Sequence, residues 1–374
     1  MSSQNIEINN PYFIKNVKVE SLVGGSDIYW ELNEDVNVLV GANGTGKSTL
    51  IALIKCILSG PDSLKPDELK SIRGKFSSAS VSLKNGQEGA LKCDSHGETY
   101  QELLKALSQM LIEAPDKVND KRVKIDKLNK QGSYELTKEQ IKSIFDTMSS
   151  DVDSKSPVIT ATSNFVNKGG KPSIKQHLNV EMISTFDMLL LSKEEYDKFN
   201  DKSYSQLDFL IENEIRELTQ KLLATSKAVS VEYKNSTGKK SLEAIQSAKL
   251  SAFNKFLKEV NKLFNPNNKS FRLDDKTGEF YATYKGQRLG MSDLSSGEKQ
   301  MLMILLKAVN SSDKPTILLM DEPEISLHLY WQETLLKTVR RINDKCQIIV
   351  VSHSPALVMK GWLSKMVEIK DISV

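Results

Sequence analysis

Eight residues near the start of the chain, Gly41-Ala42-Asn43-Gly44-Thr45-Gly46-Lys47-Ser48, bring together three glycines, a lysine and two hydroxyls. Glycines allow a backbone to curl until several N–H groups point into one hollow, and such a hollow binds anions. A helix that starts at Lys47 adds the positive end of its dipole. The spacing satisfies G-x-x-x-x-G-K-[ST] at every fixed position. The chemistry that needs this set is the cradling of a nucleoside triphosphate. Asn43, Gly44, Thr45, Gly46, Lys47, Ser48 and Thr49 are the candidate contacts. Lys47 would reach the β- and γ-phosphates of ATP, and the Ser48 hydroxyl would coordinate Mg²⁺.

Three further groups lie far down the chain. Ile317-Leu318-Leu319-Met320 is a buried-strand run that ends in Asp321-Glu322-Pro323. Acids at the C-terminal end of such a strand stand where open α/β sheets bind ligands. Asp321 would help hold Mg²⁺, and Glu322 would orient or deprotonate an attacking water. Leu294-Ser295-Ser296-Gly297-Glu298 precedes a helical pattern. Ser295, Ser296 and Gly297 offer an anion site at a helix N-terminus. Ser295 followed by Glu298 equally fits a capping box with no ligand at all. Ile348-Ile349-Val350-Val351-Ser352-His353 is another apolar strand ending in a histidine. An imidazole there can hydrogen-bond a γ-phosphate.

The elements that must position these groups can be read in outline. Phe13 to Val40 alternates and then turns mostly apolar, predicting strands that end in a buried one at Val36 to Val40. Lys47 to Leu58 predicts a helix stopped by Gly60-Pro61. Ser78 to Leu83 and Val180 to Ser184 predict strands, and Tyr100 to Ile112 a helix. Lys117 to Lys130 offers a basic contact for nucleic acid, but its interleaved bases and acids fit a solvated face better. Leu207, Ile211, Ile215, Leu218 and Leu222 share one helical face, and Ile245, Phe253, Phe256, Val260 and Phe264 a second. With a turn over Tyr233 to Lys240, two helices of about 30 Å each are expected at ~1.5 Å per residue. Their stripes must bury against the chain itself or another subunit. A hairpin turning at Asp274 to Gly278 follows.

Composition narrows the classes. Lys and Arg number 51 against 48 Asp and Glu, a net charge of +3 that is too small for a general nucleic-acid coat. The three cysteines, Cys56, Cys93 and Cys346, form no disulfide framework, and Cys93 with His96 is too little for a zinc site. The polar N-terminus lacks the apolar core of a signal peptide, and the apolar runs are too short to span a bilayer. A soluble, cytoplasmic protein without membrane contact is expected.

The order P-loop, long insertion, Leu-Ser-Ser-Gly-Glu, strand with Asp321-Glu322, strand with His353 resembles the ABC-type ATPases. The resemblance covers roughly residues 10–60 and 270–374. It implies an α/β head, a P-loop mixed or parallel sheet with helices, interrupted by an inserted, mainly helical region that includes a short helical hairpin. The implied division is 1–60 and 270–374 for the head, 61–190 for an insertion that partly completes it, and 191–269 for the hairpin. It also implies a homodimer or higher homo-oligomer in which two heads pack head to tail. Ser295, Ser296 and Gly297 would then touch the γ-phosphate bound to the partner, and Ser326, Leu327 and His328 would lie on the seam. One departure stands out. The family's Gln after a central strand is missing at Ile183-Ser184-Thr185-Phe186-Asp187, where Thr185 or Asp187 would have to substitute.

Asp321 to His328 followed by Trp331-Gln332 is similar to the SMC/RecF/OLD branch. The 183–187 segment and Met359-Lys360-Gly361-Trp362 resemble the AriA-type ATPase subunits of PARIS anti-phage defence, with Septu-type ATPases as a second candidate. That implies an ATP-driven sensor or scaffold that controls a separate toxic effector, a TOPRIM-like nuclease encoded nearby, in response to a phage-derived trigger. The few residues after His353 leave no room for a nuclease domain, so none is expected in this chain. The alternative is a RecF-like DNA repair or DNA-binding clamp, for which nucleic acid is a partner. Nucleic acid is possible but not required on the first reading.

Overall fold

The computed structural model describes residues 10–59, 72–94, 123–125, 134–136, 158–163, 174–184, 205–235, 250–274 and 279–374. In chain order these form β1 Ile14–Glu20, β2 Ile28–Glu31, β3 Val36–Val40, α1 Lys47–Ser59, β4 Ser78–Leu83, β5 Glu88–Asp94, β6 Val123–Ile125 and β7 Tyr134–Leu136. There follow β8 Val158–Ser163, β9 Asn179–Ser184, α2 Gln206–Asn235, α3 Ser251–Phe264, β10 Lys269–Leu273, β11 Phe280–Tyr284 and β12 Gln287–Leu289. The chain closes with α4 Ser296–Asn310, β13 Thr316–Asp321, α5 Leu329–Ile342, β14 Cys346–Ser352 and β15 Met366–Glu368. The sequence-predicted helix over Tyr100 to Ile112 lies outside the described residues, as do most of Lys117 to Lys130, His96, Thr185, Asp187 and Ile245.

The centre is a five-stranded sheet in the order β15-β3-β14-β13-β9, with every pairing parallel. Strands of a parallel sheet are covered on both faces and read as continuous apolar runs, as β13 and β14 do. Their alternate residues separate into two cores. Leu318, Met320, Ile348 and Val350 face a layer formed by α2, α3, α4, α5 and the β10–β11 hairpin. Ile317, Leu319, Ile349 and Val351 face α1 and, beyond it, an antiparallel sheet in the order β2-β1-β4-β5-β8. The result is an α/β head, the fold expected from the sequence.

Apart from Ile245, which lies outside the described residues, the two apolar stripes are accounted for inside the chain. Ile211, Leu218 and Leu222 of α2 and Phe253, Phe256, Val260 and Phe264 of α3 are buried in the first core, with Leu207 and Ile215 packed against it. Two ion pairs tie α2 to α4: Asp208 with Lys299 at 2.7 Å and Glu214 with Lys307 at 2.8 Å. Lys307 also meets Glu181 of β9 at 2.9 Å. The expectation of two equal helices needs correction. α2 has 30 residues and α3 has 14, or roughly 45 and 21 Å. α2 takes in Tyr233 to Asn235, the first three residues of the expected turn, and the rest of that turn lies outside the described residues. No helix among the described residues is long and apolar enough to cross a membrane.

Candidate nucleotide-binding site

Parallel register sets the stage. Asp321 stands level with Val351 of β14 and Ser184 of β9, and Val40 of β3 stands level with Ser352. Four strands therefore end along one edge, and the chemistry-bearing residues follow those ends directly.

After β3 the chain curls through Gly44 and Gly46, both in the left-handed region at φ +80° and +89°. A side chain at Gly46 would also strike Leu22 and Val23, whose atoms lie 2.9 Å from where its Cβ would be. The Thr45 hydroxyl donates to Ala42 O at 2.9 Å and pins the curl. Lys47 is buried at the start of α1. Its ammonium donates to Gly41 O at 3.0 Å and Ala42 O at 2.8 Å. Burial lowers the Lys47 pKa below the usual lysine value, although Glu322 and Asp321 nearby oppose that shift. The next hydroxyl, Ser48 Oγ, donates to Asp321 Oδ1 at 3.1 Å. The two residues assigned to a metal from opposite ends of the sequence are thus neighbours.

Glu322 holds an unusual backbone, φ +48°, a conformation a non-glycine residue adopts at a cost of about 1–3 kcal/mol. Its N–H donates to Val351 O at 2.9 Å, which anchors it to β14. Its Oε1 lies 3.2 Å from His353 Nε2. An open cleft of about 830 Å³ joins these groups: Asn43, Gly44, Gly46, Lys47, Ser48 and Thr49 on one wall, Glu322 and His353 on the other. Val23 and Lys75 complete the lining. Sequence reading missed both. Val23-Gly24-Gly25 looks like an ordinary strand connection, and Lys75 carries no spacing signal.

Among the described residues no group of three or more His, Cys, Asp or Glu could hold a metal ion unaided. The Ser48 hydroxyl and Asp321 carboxylate supply hard oxygen donors. That suits Mg²⁺, which is usually bound by one or two protein oxygens together with phosphate and water.

Ser295, Ser296 and Gly297 are not part of this lining. Ser295 is the N-cap of α4, and the capping box is closed: Ser295 N donates to Glu298 Oε2 at 2.8 Å, and Glu298 N to Ser295 Oγ at 3.4 Å. Lys269 pairs with the same carboxylate at 2.7 Å. Ser295 and Ser296 are exposed. Gly297 is pressed against the turn after β13, with Ser326 O only 2.3 Å from where its Cβ would stand. Part of the need for glycine here is therefore internal to the chain.

The signature of the AAA ATPase domain matches residues 13–358, most of the chain and the entire cleft. The chain belongs to this family of ATPases. Local similarity extends to two curated proteins. The DNA double-strand break repair Rad50 ATPase of Sulfurisphaera tokodaii is 32% identical over 93 residues, 24% of this chain and 11% of that protein. The zinc import ATP-binding protein ZnuC of Marinobacter nauticus is 41% identical over 68 residues, 18% of this chain and 25% of that one. The matched segments thus span a quarter or less of these relatives. Solved structures with a similar trace include an SMC head bound to the C-winged helix domain of ScpA, 13% identical, TM-score 0.44, covering 95% of this chain and 93% of that one. The SMC head domain from Thermotoga maritima is 14% identical with TM-score 0.40, covering 95% and 94%.

Proposed function

We propose that this family member is an ABC/SMC-type ATP hydrolase whose two ATP sites are completed between two copies of the head. The observation that carries the reading is a separation. Lys47, Ser48, Glu322 and His353 share one cleft, with the buried Asp321 behind it on the Ser48 hydroxyl, whereas the exposed Ser295 and Ser296 lie outside it at the start of another helix.

Each residue's part follows from its chemistry. The Gly44–Thr49 backbone and Lys47 bind the triphosphate, the lysine by charge and the loop by its N–H groups. Ser48 and Asp321 would hold Mg²⁺, which when bound neutralises phosphate charge. The Glu322 carboxylate accepts a proton from, or orients, the attacking water. The His353 Nε2, beside Glu322, donates toward the γ-phosphate. Ser295, Ser296 and Gly297 of the second copy would close over that phosphate.

The test uses Glu322→Gln, which preserves shape while removing the base. With ATP and Mg²⁺ its mass by light scattering should rise from that of one head to that of a pair. A mass that ignores ATP in a variant that binds ATP would overturn the composite site.

In the cell, the reading is a sensor or scaffold that governs a separate effector in anti-phage defence, with a TOPRIM-like nuclease as effector and a phage component as trigger. The resemblance of Met359-Lys360-Gly361-Trp362 to the ATPase subunits of that defence system supports it. Co-expression with the neighbouring gene and affinity purification tests it, and purification without that product counts against it. A DNA-repair or DNA-clamp role is the second reading, favoured by the similarity to the Rad50 repair ATPase. ATP-dependent retention on DNA would select it.

A further inference from the structure

Glu324 stands two residues beyond Glu322 and is buried at 6% exposure, yet it does not line the cleft. Its Oε1 accepts three hydrogen bonds from the last residue of β14 and the turn that follows it. The donors are the Ser352 hydroxyl, the His353 N–H at 3.1 Å and the Ser354 N–H at 3.2 Å. Its Oε2 is buried with no hydrogen-bond partner among the described residues. Desolvating a carboxylate costs several kcal/mol, so a buried one beside a cleft needs a reason.

Folding alone is a weak reason. β13 and β14 are already joined by a parallel ladder from Thr316–Cys346 to Asp321–Val351 and buried on both faces. The bonds of Glu324 begin where that ladder ends. Two successive backbone N–H groups and a hydroxyl converge on one oxygen, the arrangement of an anion nest, and the anion is the protein's own. Gln332 of α5 extends the set. It accepts from the Ser354 hydroxyl at 2.8 Å and donates to Leu327 O at 2.9 Å. Leu327 N in turn donates to Glu324 O at 2.9 Å.

We propose that Glu324 is a positioning residue: it fixes the Ser352–Ser354 turn and so aims the His353 imidazole at Glu322 and the phosphate end of the cleft. This rests on the reading of His353 as a phosphate contact. The Leu327 and Gln332 bonds connect the same turn to Ser326, against which Gly297 is packed.

Five variants decide the matter: Glu324→Ala, Glu324→Asp, Glu324→Gln, His353→Ala, and Glu324→Ala combined with His353→Ala. Glu324→Ala should lower kcat for ATP hydrolysis about 10- to 100-fold with KM nearly unchanged, the loss expected when a reacting group is displaced by about 1 Å. Glu324→Gln retains an acceptor oxygen and should recover most of the rate. In the His353→Ala background, Glu324→Ala should have no further effect. Losses that multiply, or a Glu324→Ala kcat within about twofold of the parent, would overturn the proposal. Glu324→Asp covers the case in which the alanine variant does not fold. The chain has four histidines, so the His353 imidazole NMR signal is assignable from its loss in His353→Ala. Glu324→Asp should shift that signal and leave those of His177 and His328 in place; an unmoved His353 signal overturns the proposal. If His353→Ala itself keeps the parental kcat, the phosphate role of His353 fails, and the imidazole signal in Glu324→Asp alone decides whether Glu324 positions it.

Discussion

The starts of α1 and α4 are built from the same materials, serine and glycine at a helix N-terminus, yet they face opposite situations. α1 opens with Lys47 and Ser48, has no acid in its first turn and borders the cleft of its own chain. α4 opens with Ser295 as N-cap and carries Glu298 in its first turn, which closes a capping box and takes an ion pair from Lys269. A helix N-terminus attracts anions through unpaired N–H groups and its dipole. At α1 that capacity is left for an external anion. At α4 an internal carboxylate already uses part of it, and only the outward serines remain. The same composition therefore binds fully within one chain at α1 and, on our reading, in partnership at α4.

The sharpest way to break the contrast is at the water. Glu322→Gln should leave ATP affinity intact and lower kcat about 10³-fold, within the range general-base removal produces; single-turnover hydrolysis measures it, and a normal rate would assign the base elsewhere. Lys307→Met attacks the frame that carries α4. It leaves Glu181 and Glu214 facing each other without their cation and should cost about 3 kcal/mol, read as a lower urea midpoint. Lys47→Ala removes the cation on the α1 side and should weaken ATP binding about 100-fold in a folded protein, by loss of charged hydrogen bonds. Equilibrium binding of labelled ATP checks it, and unchanged affinity would sink the assignment of the loop.

Ser296→Arg addresses α4 alone. ATP binding should survive while hydrolysis falls about tenfold or more, as an added bulk on an interface predicts. Mixed with Lys47→Ala, some activity should return, because one composite site then carries neither change. The structure makes Ser296 a better probe than Gly297, since any side chain at Gly297 strikes Ser326 of its own chain. A normal rate for Ser296→Arg alone would remove α4 from the chemistry.

The mildest test is acid. Burial by itself would raise the Asp208 carboxyl, but Lys299 and Ser205 outweigh it and hold the group below its usual value. Glu298 is likewise opposed by burial and held down by Lys269 and Ser295. Groups lowered in the folded state contribute fully above the unfolded pKa of about 4 and lose that contribution as pH falls through the folded values. Stability should therefore decline below about pH 4, and Glu298→Gln should flatten the decline. An identical pH slope in that variant would show that the capping box contributes nothing.

Much of the site was legible in the residues because its chemistry is local. The curl at Gly44–Gly46, the strand ending in Asp321-Glu322 and the strand before His353 each need only a few consecutive residues, and the structure places all three at one sheet edge. The strand at Val36 to Val40 and the one at Ser78 to Leu83 have the bounds their patterns indicate. The C-terminal end of α2 was not legible to the residue, because Tyr233 to Asn235 look like the start of a turn and belong to the helix. Glu324 was not legible either. In Asp321-Glu322-Pro323-Glu324 the third acid looks like one more solvated carboxylate, and nothing local reveals that it turns inward.

From its sequence alone this chain is determined to carry a glycine-rich loop leading into a helix, two acid-tipped or histidine-tipped buried strands and a serine-capped helix, since short-range geometry and apolar periodicity dictate those. Only the tertiary structure decided which of them meet. Ser48 reaches Asp321 across 273 positions of chain, and Glu322 reaches His353, because parallel register aligns the strand ends. The stripe of Ile211, Leu218 and Leu222 on α2 and that of Phe253, Phe256, Val260 and Phe264 on α3 close into the chain's own core. Gly297 lies on Ser326, and Glu324 is folded beneath the His353 turn. Such pairings depend on how layers stack and which strand lies beside which, and no local run of residues encodes them.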